Sequence, residues 1–599
     1  LPPLHAPTTS HSSHLLAHRR AMLSPPSLSR LLSTPRSPRL SLSPLLSFSP
    51  LLSLSPHSSL SSLARPLSTL PRSAAPSITS LPASCRLGPR LRSATASPVR
   101  ALAAAASQQR ILYRSTRGGQ SNLTFSEAVL QGLGTDRGLL VPQRIPTFEP
   151  DELESWRGLP FDKLANKVIS KYLTDEDMSP DDLARITSAS YGNQWRSSAV
   201  TPVETLPDGM HVLELHHGPT YAFKDVALQF LGNLFEHLLM KRHAEGLPHT
   251  ITVVGATSGD TGSSAISGLR GKRGVEVFMM YPEGRTSPTQ ELQMITVLDE
   301  NIHNIALKGT FDDCQAVVKS LFADSPFRQR VKLAAVNSIN WARILAQTVY
   351  YVHAYLHVTE PGAAMSGRKV SFSVPTGNFG DILAGWYAKQ MGLPVQQLIV
   401  ATNENDILHR FFQKGDYSQK GVKETLSPSM DIQISSNFER YLFHAGGNDA
   451  HALNALMKRF EADGALSPSP ELLAACRAEM DSERVDDAEV LATIAQVHEA
   501  TGGTYTLDPH SAIAVAGARN YLRRADAAEK EVPMVALACA HWAKFAAAVG
   551  RAVGEESAAK LELPEALANL RGKPTRVSPL PNDVAAVREF IDKTLASRK

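Results

Sequence analysis

From residue 251 to residue 550 the chain repeats one order: a short β-rich run, a turn of glycine or polar residues, then a helical pattern. It is read in ITVVGATSGDTGSSAISGL, VEVFMMYPEG, KVSFSVPTGNFGDILAGWYAKQMG, QLIVATNENDILHRFF and MVALACAHWAKFAAAVG. Such alternation predicts an α/β fold of parallel sheets with helices on both faces, binding ligands beyond the carboxyl ends of the strands. No tandem repeat accompanies it.

The first hundred residues do not share this order. Residues 22–100 hold 22 Ser with many Pro and no acid, and prolines in strings such as LSLSPLLSFSPLLSLSP break both helical and strand periodicity. Residues 1–110 carry twelve Arg, no Lys and no carboxylate, the first being Glu127. Without those twelve, 49 basic residues face 57 acidic ones, so the formal charge of +4 belongs to the leader. The body, at −8, is not built to grip nucleic-acid phosphates. No run reaches the roughly 18 apolar residues of a membrane span, and no compact apolar block marks a secretory signal. An organelle transit peptide within residues 1–107 is expected, opening at Met22 and cleaved about Val99-Arg100-Ala101. The destination expected is the plastid, with the mitochondrion as alternative; a Ser/Pro tail that stays attached is the plainer reading.

Ordinary composition begins at Tyr113. Residues 108–200 read as a small, largely helical domain, with Ser179 as the N-cap of SPDDLARI. Residues 201–550 hold the alternating pattern, within which Leu466–Glu489, polar and acidic, reads as surface helices and connections. Residues 551–599 read as a helical extension. The four cysteines, Cys85, Cys314, Cys476 and Cys539, form no CxxC pair, so neither a disulfide framework nor a cysteine zinc site is expected, and no metal is assigned.

Two strand-to-helix turns can cradle an anion: Thr257-Ser258-Gly259-Asp260-Thr261-Gly262 and Thr376-Gly377-Asn378-Phe379-Gly380-Asp381. Their glycines let backbone N–H groups approach a ligand, and the following helix adds a positive dipole end. Neither is a P-loop or GxGxxG, and a plain βα connection has the same composition. In HHGPTYAFKDVALQF, Lys224 stands at the apparent start of an apolar helix. Burial there lowers an ammonium pKa and suits a Schiff-base lysine, although a snorkelling lysine paired with Asp225 fits an isolated FKD as well.

These segments, with NSINWARILAQ, ATNENDIL and SPSMDIQISSNFERYLF, resemble the threonine synthases in content, order and spacing across residues 111–550, and more closely the fungal and enterobacterial type than the plant type. The resemblance implies a pyridoxal-phosphate enzyme of fold type II, tryptophan-synthase-β-like, with two parallel-sheet lobes. It implies Lys224 as the cofactor-bearing lysine. Gly377, Asn378, Phe379 and Gly380 would hold the cofactor phosphate, and Ser258, Asp260 and Thr261 the loop meeting the substrate carboxylate. Where the family reads TAHPAKF, with Thr on the pyridine nitrogen, this chain has Cys539-Ala540-His541-Trp542-Ala543-Lys544-Phe545. A thiol is a weaker partner there, and Trp542 for Pro bears on the turn. Arg117 and Arg343 are candidates for the substrate phosphate, each equally suited to a structural ion pair.

The implied reaction takes O-phospho-L-homoserine and water to L-threonine and phosphate. A related phospho-lyase releasing 2-oxobutyrate, or a non-catalytic paralogue, is the alternative; the retained Lys224 and glycine turns argue against the latter. Small-molecule substrate, no nucleic acid and no membrane span complete the expectation.

Overall fold

The computed structural model describes residues 109–598. The expected transit segment, its cleavage point and Cys85 lie outside the described residues.

Two sheets carry the body, as the alternating pattern predicts. The larger has the order Met480–Arg484, Val395–Thr402, Val370–Pro375, Met534–Ala538, His211–Glu214 and Val203–Thr205, parallel throughout except for the last pair. Its inner strands Val370–Pro375 and Met534–Ala538 are buried at every position, which is why they read as continuous apolar runs. The smaller sheet runs Ser578–Pro581, Ile302–Lys308, Val275–Pro282, Ile251–Ala256 and Leu333–Ala334, all parallel.

Two edge strands depart from the sequence reading. Met480–Arg484 (MDSER) falls within the expected surface connection, yet Met480 and Ser482 turn inward while Asp481, Glu483 and Arg484 are partly or fully exposed, the mark of an edge. Ser578–Pro581 lies in the expected helical extension. Its two prolines cannot donate to a ladder on both sides and so fit only an edge. The extension ends in the helix Val584–Ser597, which buries Val587 and Ile591.

Residues 109–200 are helical apart from the antiparallel pair Tyr113–Ser115 and Leu140–Pro142. Ser179 caps its helix as expected, accepting from Asp182 N–H. This region shares the main core: the Tyr113 and Trp341 rings lie 5.8 Å apart, and Phe161 meets Tyr191 at 4.9 Å.

The helices Lys224–Ala244 and Asp260–Leu269 pack face to face through glycines. A Cβ at Gly232 would overlap the Gly268 carbonyl, and one at Gly268 would overlap the Leu228 carbonyl. This close approach sets the starts of both helices, Lys224 and Asp260, side by side.

Candidate active site

Four turns at the carboxyl ends of strands converge. Lys224 follows His211–Glu214, Asp260 follows Ile251–Ala256, the Thr376–Asp381 turn follows Val370–Pro375, and Cys539 follows Met534–Ala538. The backbone joins two of them directly, because Phe223 N–H donates to the Cys539 carbonyl at 2.7 Å.

Lys224 is buried, with Nζ 3.7 Å from Asp260 Oδ2 and 4.5 Å from the Phe223 ring centroid. Burial lowers its pKa; Asp260 opposes the shift, while Lys544 and Arg343 add to it. The partner is therefore Asp260, not the adjacent Asp225, whose carboxylate accepts from Thr220 N–H and Thr220 Oγ1 at 2.7 Å each. Asp260 Oδ1 accepts from Lys544 Nζ at 2.7 Å and from Gln290 Nε2 at 2.7 Å. Burial alone would raise the Asp260 carboxyl, but Lys544 and then Lys224 outweigh it and hold it well below the usual carboxylate range. Neither Lys544 nor Gln290 is singled out by the sequence. Lys544 lies inside AHWAKF, whereas Gln290 carries no local signal.

The turn holding Asp260 needs its glycines. Gly259 has φ 151°, and a Cβ there would overlap the Gln290 amide. Thr257 Oγ1 accepts from the N–H groups of Gly259 and Gly262, both at 2.9 Å, which curls the turn. Ser258 and Thr261 flank it, half-buried.

In the second turn the left-handed residue is Phe379, φ 62°, not a glycine. Its ring is fixed against Phe438 and Tyr441 at 5.1 and 5.4 Å. Gly377 is required by proximity: a Cβ would stand 3.2 Å from Met430 Cα and from the Ser429 carbonyl. At Gly380 the nearest atom would be Asn437 Nδ2 at 3.4 Å. The Asn378 carbonyl accepts from both Asn437 N–H and Asn437 Nδ2 at 3.1 Å, which anchors the turn from outside. Asp381, beside Gly380 in the first turn of the helix, accepts on Oδ1 from Tyr350 and Tyr351 hydroxyls at 2.5 and 2.8 Å. Its Oδ2 is buried without a partner among the described residues. Burial pushes this carboxyl up to about 6, against the tyrosine hydrogen bonds and the nearby Lys224.

Cys539 is buried, its N–H donating to Ser511 Oγ at 3.0 Å. Burial, then Asp381 and Asp508, push its thiol well above the ordinary value, so it remains protonated. Trp542 leaves the turn closed: His541 Nδ1 accepts from Ala543 N–H at 3.2 Å, and Trp542 packs on the Tyr221, Ala543 and Leu567 cluster.

The two arginines separate. Arg343 is buried near Lys224, with Nη1 on the Val336 carbonyl at 3.0 Å and Nε unpartnered among the described residues. Arg117 is engaged on every side. Nε and Nη2 grip Glu439 at 3.1 and 2.9 Å, and Nη1 meets Glu461 at 2.7 Å. Three of its five N–H donors are thus committed to two carboxylates, whose charge also opposes a phosphate beside them.

Glu214, His216 and His217 are the group among the described residues whose spacing suits a cation. Glu214 Oε2 is already 2.7 Å from His217 Nε2, and Arg196, donating to the Gly218 carbonyl at 2.6 Å, sets a guanidinium alongside. The cluster reads as an anchor for the loop leading to Lys224.

These residues fit pyridoxal phosphate: a buried amine of lowered pKa, a cradle that a Gly377 side chain would fill, a protonated thiol, and buried unpartnered atoms on Asp381 and Arg343. Comparison with known proteins agrees. Residues 112–191 match the family model "Threonine synthase N terminus", 200–455 "Pyridoxal-phosphate dependent enzyme" and 511–591 "Threonine synthase, C-terminal". The threonine synthase of Schizosaccharomyces pombe is 46% identical over 471 residues, 75% of this chain and 90% of its own length. That of Pseudomonas aeruginosa is 46% identical, covering 80% and 98%. The crystal structure of pyridoxal-phosphate-bound threonine synthase from Brucella melitensis superposes with a TM-score of 0.74 at 43% identity, covering 81% of this chain and 99% of that one. At this identity over most of each chain, and with this fold, the chain belongs to the threonine synthase family, pyridoxal-phosphate enzymes of fold type II.

Proposed function

We propose that this chain converts O-phospho-L-homoserine and water to L-threonine and phosphate, with Lys224 as the covalent anchor of the cofactor. The carrying observation is Lys224 itself, a buried amine at a helix start beside Asp260 and near Asp381, at the end of a glycine turn that can seat a phosphate. Gly377, Asn378, Phe379 and Gly380 would hold the cofactor phosphate, and Cys539 would meet the pyridine nitrogen. When bound, the cofactor supplies an electron sink for charge developing on the substrate carbons. The chain supplies the rest. Lys224 Nζ, neutral at lower pH than an ordinary lysine, takes the proton from the substrate α carbon and returns protons at its neighbour. The substrate carboxylate meets backbone N–H groups and the Ser258 and Thr261 hydroxyls; Asp260, an anion committed to two lysines, does not bind it. Arg343 is favoured over Arg117 for the leaving phosphate because it has an unused donor near Lys224. Incubating the purified protein with O-phosphohomoserine should yield threonine; 2-oxobutyrate and ammonia in its place would overturn the reading. Borohydride reduction and peptide mapping should label Lys224, and a label on another lysine would sink the assignment.

Residues 1–107 we assign to plastid targeting, supported by the acid-free Ser, Arg and Pro composition. A reporter fused behind residues 22–110 should enter plastids and lose the leader; cytosolic fluorescence at full fusion mass would refute it.

A further inference from the structure

Lys544 has no place in the reaction described so far, yet it is a buried charge close to Lys224. None of its side chain is exposed. It leaves the short turn Trp542–Phe545 after the inner strand Met534–Ala538, and its ammonium meets Asp260 Oδ1 at 2.7 Å and the Thr220 carbonyl at 2.8 Å. Those contacts join three segments: the loop before Lys224, the helix starting at Asp260, and the C-terminal turn. Lys224 Nζ stands 3.7 Å from the other oxygen of the same carboxylate, beyond hydrogen-bond reach. One carboxylate thus faces two lysines, and the close partner is the one that does no chemistry.

We propose that Lys544 is a positioning residue: by taking Asp260 as its own close ion-pair partner, it leaves Lys224 only the longer, shared contact with that carboxylate and so keeps the Lys224 amine free to react. The physical basis is competition for one charge in a site with little water. A nucleophilic lysine needs its lone pair, so it must give up its proton. An unshared carboxylate beside it would hold that proton. Removing Asp260 altogether would leave two buried ammoniums without compensation. The Lys544–Asp260 pair avoids both, since Asp260 is present but spent. Gln290 Nε2, on Oδ1 as well, fixes which oxygen Lys544 takes and leaves Oδ2 toward Lys224. The other ionisable groups facing Lys224 or Lys544 are Arg343, which also disfavours the Lys224 ammonium, the Cys539 thiol, Asp381, and Asp225, saturated by Thr220. None of them contacts Asp260 as closely as Lys544 does.

This role rests on the assignment of Lys224 proposed above, and the two can fail separately. The test uses the full-length holoenzyme and its cofactor-free form. Lys544→Gln keeps donors for Asp260 and the Thr220 carbonyl but loses the charge; Lys544→Arg keeps the charge. The pH midpoint of the bound cofactor's visible absorption is expected to rise by one unit or more in Lys544→Gln and to return toward the parent in Lys544→Arg. In cofactor-free protein at pH 8, acylation of Lys224, followed by peptide mapping, should slow about tenfold in Lys544→Gln, the same change of midpoint read as a rate. A folded Lys544→Gln protein whose midpoint and acylation rate match the parent overturns the proposal and leaves Lys544 a packing residue. Should neither variant fold, the parent decides: its Lys224 must acylate with a midpoint well below the roughly 10.4 of an ordinary lysine, and an ordinary value overturns the proposal. Borohydride labelling of another lysine would instead sink the assignment beneath it.

Discussion

Asp381 holds two tyrosine hydroxyls on one oxygen and nothing on the other, with its pKa pushed from 3.8 up to about 6 by burial. A carboxyl that binds its proton more tightly folded than unfolded contributes stability that is present below its unfolded pKa and lost as pH rises through about 6. A displacement of that size corresponds to roughly 2–3 kcal/mol. Asp381→Asn keeps an acceptor for Tyr350 and Tyr351 but cannot ionise. Urea unfolding of cofactor-free protein at pH 5 and pH 8 should therefore show the parent losing more stability across that interval than the variant. Glu214 and Asp260, whose pKa values are depressed in the fold, act with the opposite sign, but equally in both proteins, and cancel in the difference. Equal losses would show that Asp381 does not titrate there. Lys224 and the two turns are legible in the sequence because each is local: an apolar helix begins at the lysine, and glycines cluster after a strand. The partners of Asp381 are not, because Tyr350 and Tyr351 come from the buried helix Trp341–Val358, in which any aromatic reads as core. Lys544 is invisible for a related reason. A lysine one residue before Phe545 reveals its burial only when the inner strand is placed.

At the scale of elements, the glycine contact between the helices Lys224–Ala244 and Asp260–Leu269 sets the separation of their reactive ends. Gly232→Ala should push the helices apart, costing about 1–3 kcal/mol by overpacking and lowering cofactor occupancy with the thermal midpoint. Gly550→Ala, helical with its nearest neighbour at 3.8 Å, should be neutral or slightly stabilising. The comparison fails if Gly232→Ala behaves like Gly550→Ala. The Thr376–Asp381 turn discriminates among its own residues. Gly377→Val meets the backbone at Ser429 and Met430, so its cofactor affinity should fall about ten- to a hundredfold, equivalent to about 1.5–3 kcal/mol. Gly380→Ala, with its nearest neighbour a side-chain amide at 3.4 Å, and Asn378→Ala should do less harm. Titration with pyridoxal phosphate checks the order, and parent-like binding by Gly377→Val would mean the phosphate sits elsewhere. Composition alone conveys that the turn is glycine-rich. Which glycine is crowded depends on the 427–437 segment folding over it, more than forty positions downstream. The edge strands Met480–Arg484 and Ser578–Pro581 escape sequence reading because charge and proline, which argue against inner strands, are tolerated at an edge.

For the whole molecule, the order of strands in space differs from their order along the chain. The larger sheet has Met534–Ala538 between Val370–Pro375 and His211–Glu214, and the smaller one is closed by Ser578–Pro581. A ribosome that has released the first 500 residues has made every other strand of the larger sheet, yet the place between two of them stands empty, and with it the positions of Cys539 and Lys544. Until Met534–Ala538 is made, the two strands it joins, Val370–Pro375 and His211–Glu214, each have a ladder partner on one side only. Completion of the larger sheet thus waits for the segment after residue 530, and until then the nascent chain holds apolar strand faces uncovered, a state that invites chaperone capture. Chains ending at Lys530 should accordingly stay protease-sensitive and take up no pyridoxal phosphate, while chains ending at Arg571, which retain the inner strand and lack the edge strand and final helix, should regain a protected larger lobe. Equal protection of the two truncations would show that the lobe forms without its inner strand.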